Sequence, residues 1–559
     1  MSVSPLTTSL SVVVPAHDSA PWIAELLESV LAQDVEAMEV LVVENGSTDD
    51  TAAIVAAAAA SDPRVRLLSS RAGSAAAARN EGVAAATGEY LVFADADDIV
   101  PDGAYRTMLE TITASGSDMV VGDHLKFSPT ATWSPTARWH LFDGPARTVT
   151  PAEAPALLSG RACWNRVFRR SSWDRAGLRF PEVPSVEDIE PMTRAVTAAT
   201  SVDVVPACVY LYRDRGDTSS LSLRADAAVT VRYLEQELRC AELVAGDPAL
   251  RRQHAEVVLD ADGWAHLHRF LLTDPDAEAT RLVAAALAPL VAAVGRGGLA
   301  TVAPHRRVLW LLVLADAWNV AARFVRGTAT DDPTERADAW TVAFSALQTS
   351  GETAAEDVAA LVADGLLPAL VNTADAADPE RVAAWTPRLR DLPLPSDADG
   401  LVGVMAEAVR SGGPQDVADA ARLRHVVPLV VDGAEPTAAG LVLTGPLRTG
   451  TVPPGLTLVL SDGAVRVPLT TDTAAGRWRA DVDGVSLPAG RHTVSVVAAV
   501  ADVRLPVVTA RMPLPPLPPT APLQPLADRR DGWRFLVDRR AAPERGLASA
   551  LRRVARRLR

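Results

Sequence analysis

Lysine is all but missing from this sequence: Lys126 is the one lysine among 54 basic residues. Together with the richness in alanine, this is a bias of composition and does not define an arginine-based binding strategy. Cysteine is scarce as well. Cys163, Cys208 and Cys240 are widely spaced, with no Cys-x-x-Cys pair and no nearby His/Cys set. That pattern argues against a zinc site or a disulfide framework and leaves reduced thiols, as in a cytosolic protein. Long apolar runs are also lacking. The longest, residues 282–294 and 308–315, are shorter than a membrane span and flanked by arginine, so both are expected as buried helices and no transmembrane anchor is expected. Residues 1–9 lack the basic start and apolar centre of a secretory leader. A cytoplasmic protein is the expectation.

Charge excludes a further class. The formal net charge is −15. Residues 528–559 hold eleven Arg against four Asp/Glu, about +7, so the remainder carries about −22. A body this acidic argues against a nucleic-acid binder. The basic end carries Leu547, Leu551, Val554 and Leu558 on one helical face. It is expected either to lie on the anionic inner face of the plasma membrane, to dock a polyanionic acceptor, or to pack on the acidic body.

With 559 residues, 48% of them hydrophobic, the chain has material for two to four folded domains. Residues 1–225 alternate strand-length apolar runs (9–15, 39–43, 64–69, 90–94, 119–122) with helical patterns. Ser47-Thr48-Asp49 supplies capping chemistry for the second helix, and Gly88 a stop for the third. This predicts an α/β domain with a mostly parallel, Rossmann-like sheet, whose ligands bind beyond the carboxyl ends of the strands. Residues 226–422 read as helical and 423–512 as a small all-β sandwich of immunoglobulin type, with a hairpin turning at Asp462-Gly463. Residues 513–527 read as a stiff proline-rich linker and 528–559 as the basic amphipathic tail.

Four clusters carry chemistry, in this order. Val12-Val-Val-Pro-Ala-His-Asp18 is a strand ending in a proline turn. Val42-Val-Glu-Asn-Gly-Ser-Thr-Asp49 is a strand ending in acidic and amide side chains. Ala78-Arg79-Asn80 lies on a helix. Phe93-Ala-Asp-Ala-Asp-Asp98 delivers three carboxylates from a strand end. Asp95, Asp97 and Asp98 would repel one another if buried without a cation, and hard oxygen donors at such a place suit Mg²⁺ or Mn²⁺. Taken alone, the same turn also reads as a solvated helix cap.

As an ordered set the clusters resemble the glycosyltransferase family 2 catalytic domain of the GT-A fold. Cys163-Trp-Asn-Arg-Val-Phe-Arg-Arg170, Phe180-Pro-Glu182, Glu187-Asp188 and Tyr212-Arg213 followed by Ser219-Ser220 resemble its later part. The resemblance covers about 215 residues. It implies an inverting transfer from a nucleotide-sugar, in first place a UDP-sugar, with metal on Asp95, Asp97 and Asp98. It implies Asp188, with Glu187 beside it, as general base. Donor contacts are expected from Pro15, His17, Asp18, Glu44, Asn45, Ser47, Arg79, Asp95 and Ala96, and over the diphosphate from Arg213, Ser219 and Ser220. Glu44-Asn45 departs from the family's two aspartates at the expected nucleobase contact. The loop from Gly73 to Arg79 is one residue longer than the common spacing.

The overall architecture is similar to that of bacterial wall-teichoic-acid and surface-polysaccharide glycosyltransferases. That implies a glycopolymer acceptor and later modules that assemble a homo-oligomer or hold the polymer. Trp133, Trp139, His140 and Trp164 are candidates to stack on an acceptor sugar or to fill the core. His266 and His268 face different ways on one helix and do not form a metal pair. Two rivals remain: a non-catalytic polysaccharide-binding scaffold of the same fold, and a sugar nucleotidyltransferase. The second lacks its Gly-rich phosphate loop here, since Pro15-Ala-His-Asp18 occupies that position.

Overall fold

The computed structural model describes residues 9–71, 73–215, 225–351, 353–396, 398–426, 429–437, 440–447, 456–460, 465–472, 475–483, 490–498, 501–509, 523–526 and 534–537. It forms two compact units, residues 1–306 and 307–559.

The first unit opens with β1 (Leu10–Ala16), α1 (Ile23–Leu31), β2 (Met38–Glu44), α2 (Thr51–Ser61), β3 (Val65–Ser69), α3 (Ala75–Ala85), β4 (Tyr90–Phe93) and α4 (Ala104–Ser115). Then come β5 (Met119–Phe127), β6 (Thr132–Trp133), β7 (Arg147–Val149), β8 (Arg166–Arg169), α5 (Arg170–Arg175), α6 (Ile189–Ala198) and β9 (Val202–Arg213). The sheet runs β3-β2-β1-β4-β8-β5-β9-β7, with β6 on β5. Its first four strands are parallel, as expected. The rest is mixed: β8 runs antiparallel between β4 and β5, and β7 antiparallel to β9. Val12, Val13, Val14, Val40, Leu41, Val42, Leu91, Val92 and Phe93 are fully buried, because a parallel strand covered by helices on both faces has no solvent side.

Local chemistry differs from the sequence expectation at two helix ends. Ser74 caps α3 as a serine should, accepting from Ala77 N–H. At α2 the capping residue is Asp50, without a side-chain bond, and Asp49 serves the first turn by accepting from Thr51 N–H at 3.0 Å. Gly88 is not the stop of α3, which ends at Ala85 with Ala86 as its cap. A side chain at Gly88 would stand 2.7 Å from the Ser11 backbone nitrogen, so glycine is there for close approach to β1.

The first compact unit runs past residue 225 to Arg306 and takes in α7 (Ala227–Leu243), α8 (Pro248–Asp260), α9 (Asp262–Leu272) and α10 (Ala277–Val294). The tie is ionic and buried. Arg161, just before β8, donates to both oxygens of Glu237 on α7, at 2.6 and 2.8 Å, and to Asp262 of α9 at 3.1 Å. His254 of α8 reaches Glu237 at 2.8 Å. Two charges this deep persist only when their partners are complete, so these helices are locked to the sheet domain. The helix expected to be buried over 282–294 corresponds to α10, and it is mostly not buried. Val283, Leu287 and Leu290 point inward while alanines and Leu282 face out. Its 18 residues have a mean hydropathy of 1.6 and would span a membrane by length and composition, with 17% of them buried. Residues 308–313 do supply a buried helix face.

In the second unit helices continue to Arg422. Two sheets follow. One contains Leu429–Val431, Ala501–Thr509, Gly490–Ala498, Thr457–Leu460 and Val465–Pro468 in that order, joined by Arg534–Val537 and Leu523–Leu526. The other contains Gly433–Pro436, Gly440–Pro446, Arg477–Asp483 and Thr470–Asp472. The hairpin of 457–460 with 465–468 pairs as expected, while its turn at Asp462-Gly463 lies outside the described residues. The parallel pairing of 429–431 with 507–509 was no part of the immunoglobulin-type expectation. Strands 523–526 and 534–537 fall inside the segments read as linker and tail. Residues 538–559, with the leucine face of the tail, lie outside the described residues.

Candidate active site

The polar clusters gather at the carboxyl edge of β1, β2 and β4, where parallel strands deliver their loops. Ala16 and Glu44 end β1 and β2 in register, and Pro15 pairs with Val43. The two loops are then laced together. Asp18 takes a positive φ of 44°, its N–H donates to Ser47 Oγ at 3.1 Å, and its carboxylate accepts from Thr48 N–H at 2.7 Å. Ala20 N–H donates to Asp49 at 3.0 Å and Ser19 N–H to Thr51 at 2.7 Å. The Thr48 hydrogen bond holds the exposed Asp18 carboxyl below its ordinary value. His17 keeps an exposed ring with Nδ1 3.0 Å from Asn45 O.

Glu44 turns toward its own loop and Asn45 toward the loop that precedes α3. Glu44 accepts from Ser47 N–H, and Asn45 Oδ1 accepts from Gly73 N–H at 3.0 Å, which anchors the lengthened loop before Arg79. Gly46 supplies the positive φ, 72°, that this tight turn needs.

Arg79 is the hub. Its side chain is 7% exposed; Nη2 donates to Asp95 and Nη1 to Glu187, each at 2.6 Å. Its guanidinium lies 5.5 Å over the Phe180 ring, which packs edge-on to Phe93 at 5.2 Å. The next residue, Asn80, exchanges two hydrogen bonds with the Phe180 backbone, at 2.8 and 3.0 Å. The helix motif therefore fixes the Phe180-Pro-Glu182 segment and, five residues beyond Glu182, the Glu187-Asp188 pair. Residue Val186, a β-branched side chain at φ 59°, carries backbone strain immediately before that pair.

Asp188 starts α6, and its carboxylate bonds to no other side chain among the described residues. Burial raises its pKa to about 7, the neighbouring Glu187 charge adds to the rise, and Arg79 opposes it. A carboxylate so placed is a stronger base than an ordinary aspartate. Cys163 lies in the same cluster as a fully buried thiol, pushed up by burial.

The three carboxylates of the fourth cluster do not act as one group. Asp95 is taken up on one oxygen by Arg79, and its N–H donates to the Tyr210 hydroxyl at 2.8 Å. Asp97 pairs with Arg215, whose Nε is 2.7 Å away and whose guanidinium stacks 4.3 Å over Trp22. Asp98 is 1% exposed and turned inward, where Oδ1 accepts from Arg213 N–H at 2.7 Å. Burial, then Asp97 and Asp95, raises Asp98 well above a carboxylate's ordinary value. Asp98 thus braces the loop through Oδ1, while its buried Oδ2 has no hydrogen-bond partner among the described residues. Burial and the Asp95 charge raise Asp97, against the pull of Arg215. Among the described residues no three His, Cys, Asp or Glu side chains converge as a metal-binding group. Asp95 and Asp97 still suit a hard divalent cation, since they lie within each other's field and each keeps one oxygen outside its arginine pair. Ala96 is buried between them.

Arg213 is strapped across this loop, donating to Asp97 O at 2.7 Å and to Glu25 at 2.6 Å. Ser219 and Ser220 lie outside the described residues. The sequence reading passed over Arg215 and Tyr210. The charge run Arg213-Asp214-Arg215 at a strand end was the available signal for the first. Of the aromatic candidates, Trp164 is core, stacked on Tyr210 at 4.3 Å, while Trp133 is exposed. His266 stacks on Tyr233 and His268 packs at a tilt against Trp264, so the two histidines do part ways.

A parallel strand set whose carboxyl edge carries a laced loop pair, an arginine hub and an acidic turn is an α/β domain with a charged site at that edge. Residues 11–176 match glycosyl transferase family 2, and this N-terminal part of the chain is a glycosyltransferase family 2 domain. The glycosyltransferase GlyG of Streptococcus pneumoniae serotype 4 is 34% identical over 119 residues, 21% of this chain and 40% of that protein. The succinoglycan biosynthesis protein ExoO of Rhizobium meliloti is 28% identical over 225 residues, 38% of this chain and 63% of that protein. The chain thus spans less than two thirds of either relative. Among solved structures, residues 1–349 of S. aureus TarS in complex with UDP align with 57% of this chain and 90% of that one, at 20% identity and a TM-score of 0.47.

Proposed function

We propose that this chain moves a sugar from a nucleotide-sugar donor to a hydroxyl of a cell-wall or surface-polysaccharide acceptor, with inversion at the anomeric carbon. The family match supports the reaction class. The observation that carries the mechanism is Asp188: a base raised to about 7, free of side-chain hydrogen bonds among the described residues, and held by strained backbone beside the Arg79 hub.

In the step, the acceptor oxygen bonds to the anomeric carbon as the bond from that carbon to the diphosphate oxygen breaks. The hydroxyl proton passes to Asp188, and the nucleoside diphosphate leaves with the bonding pair. A single displacement inverts the centre. The laced loops from His17 to Thr48 hold the nucleoside, and Arg213 with Arg215 stand where the diphosphate would meet the acidic turn. Asp95 and Asp97 would hold Mg²⁺ or Mn²⁺, which supplies neutralisation of the leaving diphosphate when bound. Arg79 keeps Asp95 and Glu187 at a fixed separation, so the donor side and the base side move as one body.

The acceptor class has support from the name of the succinoglycan relative and from the sheets that follow the helices. Incubating the purified chain with UDP-, GDP- and dTDP-sugars and Mn²⁺, and measuring nucleoside diphosphate release, tests the reading. One donor should be turned over, and Asp97→Ala should abolish that turnover. Release from none of the donors, with or without cell-wall glycan, contradicts it.

A further inference from the structure

Two arginines meet the acidic turn, and they are held differently. Arg79 is fixed at both ends, to Asp95 and to Glu187, and lies nearly buried over Phe180. Arg215 stands just past the end of β9 with its side chain 24% exposed. Two of its nitrogens meet one oxygen of Asp97, Nε at 2.7 Å and Nη2 at 2.5 Å, while its guanidinium lies 4.3 Å over the Trp22 ring. Trp22 caps the start of α1, directly after the loop in which Asp18 and Ala20 are hydrogen-bonded to Thr48 and Asp49. Arg215 therefore joins the laced loops to the acidic turn by contacts on both sides.

This ion pair competes with the cation that Asp97 is suited to hold. Arg215 already takes Oδ2, and a divalent ion on the other oxygen of the same carboxylate would stand beside a full positive charge. The Asp97 side chain is 18% exposed, so water screens that repulsion poorly. Of the two arginines, Arg215 is the one able to yield. A guanidinium stacks on an aromatic face independently of its ion pair, so Arg215 can release Asp97 and keep its place on Trp22. Arg79 has no such freedom, because leaving would turn Asp95 and Glu187 against each other. Arg213 is tied as well, to Asp97 O and to Glu25. A released Arg215 presents a planar fork of donors between the laced loops and the acidic turn, a geometry that matches phosphate oxygens.

We propose that Arg215 is a displaceable counter-ion, which holds Asp97 until a divalent cation takes that carboxylate and then pairs with the donor's diphosphate. The diphosphate half of this proposal rests on the glycosyltransferase reading; the competition for Asp97 rests on the ion pair itself. Arg215 acts as a positioning residue, and the exchange keeps the turn's charge balanced, because the diphosphate brings the negative charge that the cation requires.

Two calorimetric titrations of the full chain test this without any turnover. With Mn²⁺ alone, Arg215→Gln should bind the ion about tenfold more tightly than the wild type, because the competing charge is gone. With saturating Mn²⁺ and whichever of uridine, guanosine and thymidine diphosphate the wild type binds best, Arg215→Gln should bind about tenfold more weakly, having lost a charge-assisted hydrogen bond. Arg215→Lys keeps the charge and should stay within about threefold of the wild type for Mn²⁺. A merely structural role would weaken both ligands together, so the opposite signs identify the exchange. Equal or weaker Mn²⁺ binding by Arg215→Gln, or unchanged nucleotide affinity, overturns the proposal, as does a wild type that binds no Mn²⁺ with or without nucleotide. Turnover of a sugar nucleotide by a wild type whose affinities equal those of Arg215→Gln would leave the proposed function standing and this inference refuted. Opposite shifts in a chain that turns over no sugar nucleotide would do the converse.

Discussion

The guanidinium of Arg79 lies 2.6 Å from Asp95, and its other terminal nitrogen lies 2.6 Å from Glu187, 92 residues further along the chain (187 − 95). One nearly buried cation thereby couples the acidic turn to the segment that carries the base. Removing it leaves two carboxylates facing each other in a poorly solvated place. Arg79→Met should cost about 3 kcal/mol of stability, read from urea denaturation. Arg79→Lys should cost less but still lose most turnover, because an ammonium cannot span both partners at fixed geometry.

The rate should follow the ionisation of Asp188. With its pKa near 7, the base is active when deprotonated, so kcat should fall as pH drops through about 7. Stability moves the other way. A carboxyl raised in the folded state gives a contribution present below about 4 and lost as pH rises through about 7. Chemical denaturation between those limits should show the wild type losing stability with rising pH, and Asp188→Asn losing less.

Val186 holds φ 59° one residue before Glu187. Asparagine tolerates that region and valine does not, so Val186→Asn should raise stability by about 1 kcal/mol in thermal or urea unfolding. Turnover should not rise with it. An unchanged or lower melting temperature would show that the valine side chain contributes more by packing than its backbone costs.

Glu237 joins α7 and α8 to Arg161. Burial works against its charge, but Arg161 and His254 hold its pKa well below the usual range. Its contribution is therefore present above the unfolded value of about 4.3 and lost only in strong acid, as pH falls through the folded value. Glu237→Gln should destabilise the first unit by about 3–5 kcal/mol at neutral pH, because Arg161 is left buried without its counter-charge. Limited proteolysis should then release the helices from residue 227 onward.

The parallel strands and the four clusters were legible because strand length and loop chemistry are local. Val12–Val14, Val40–Val42 and the carboxylates after Phe93 each announce themselves within a few residues. What sequence could not show was pairing across distance. The end of the first unit at Arg306 depends on Arg161 meeting Glu237, 76 positions away. Asp98 looked equal to its neighbours until Arg213 claimed it from 115 positions away. In α10 the difficulty was periodicity, since alanine on the outward face reads as apolar without being buried.

The most direct measurement is a comparison of wild type and Asp188→Asn with the donor that the wild type turns over. The account predicts nucleotide-sugar affinity within about threefold and a transfer rate lower by about 10²–10⁴, because the substitution removes the base and leaves the donor cradle intact. Transfer by Asp188→Asn at the wild-type rate, with the same acid limb in its pH profile, would contradict it.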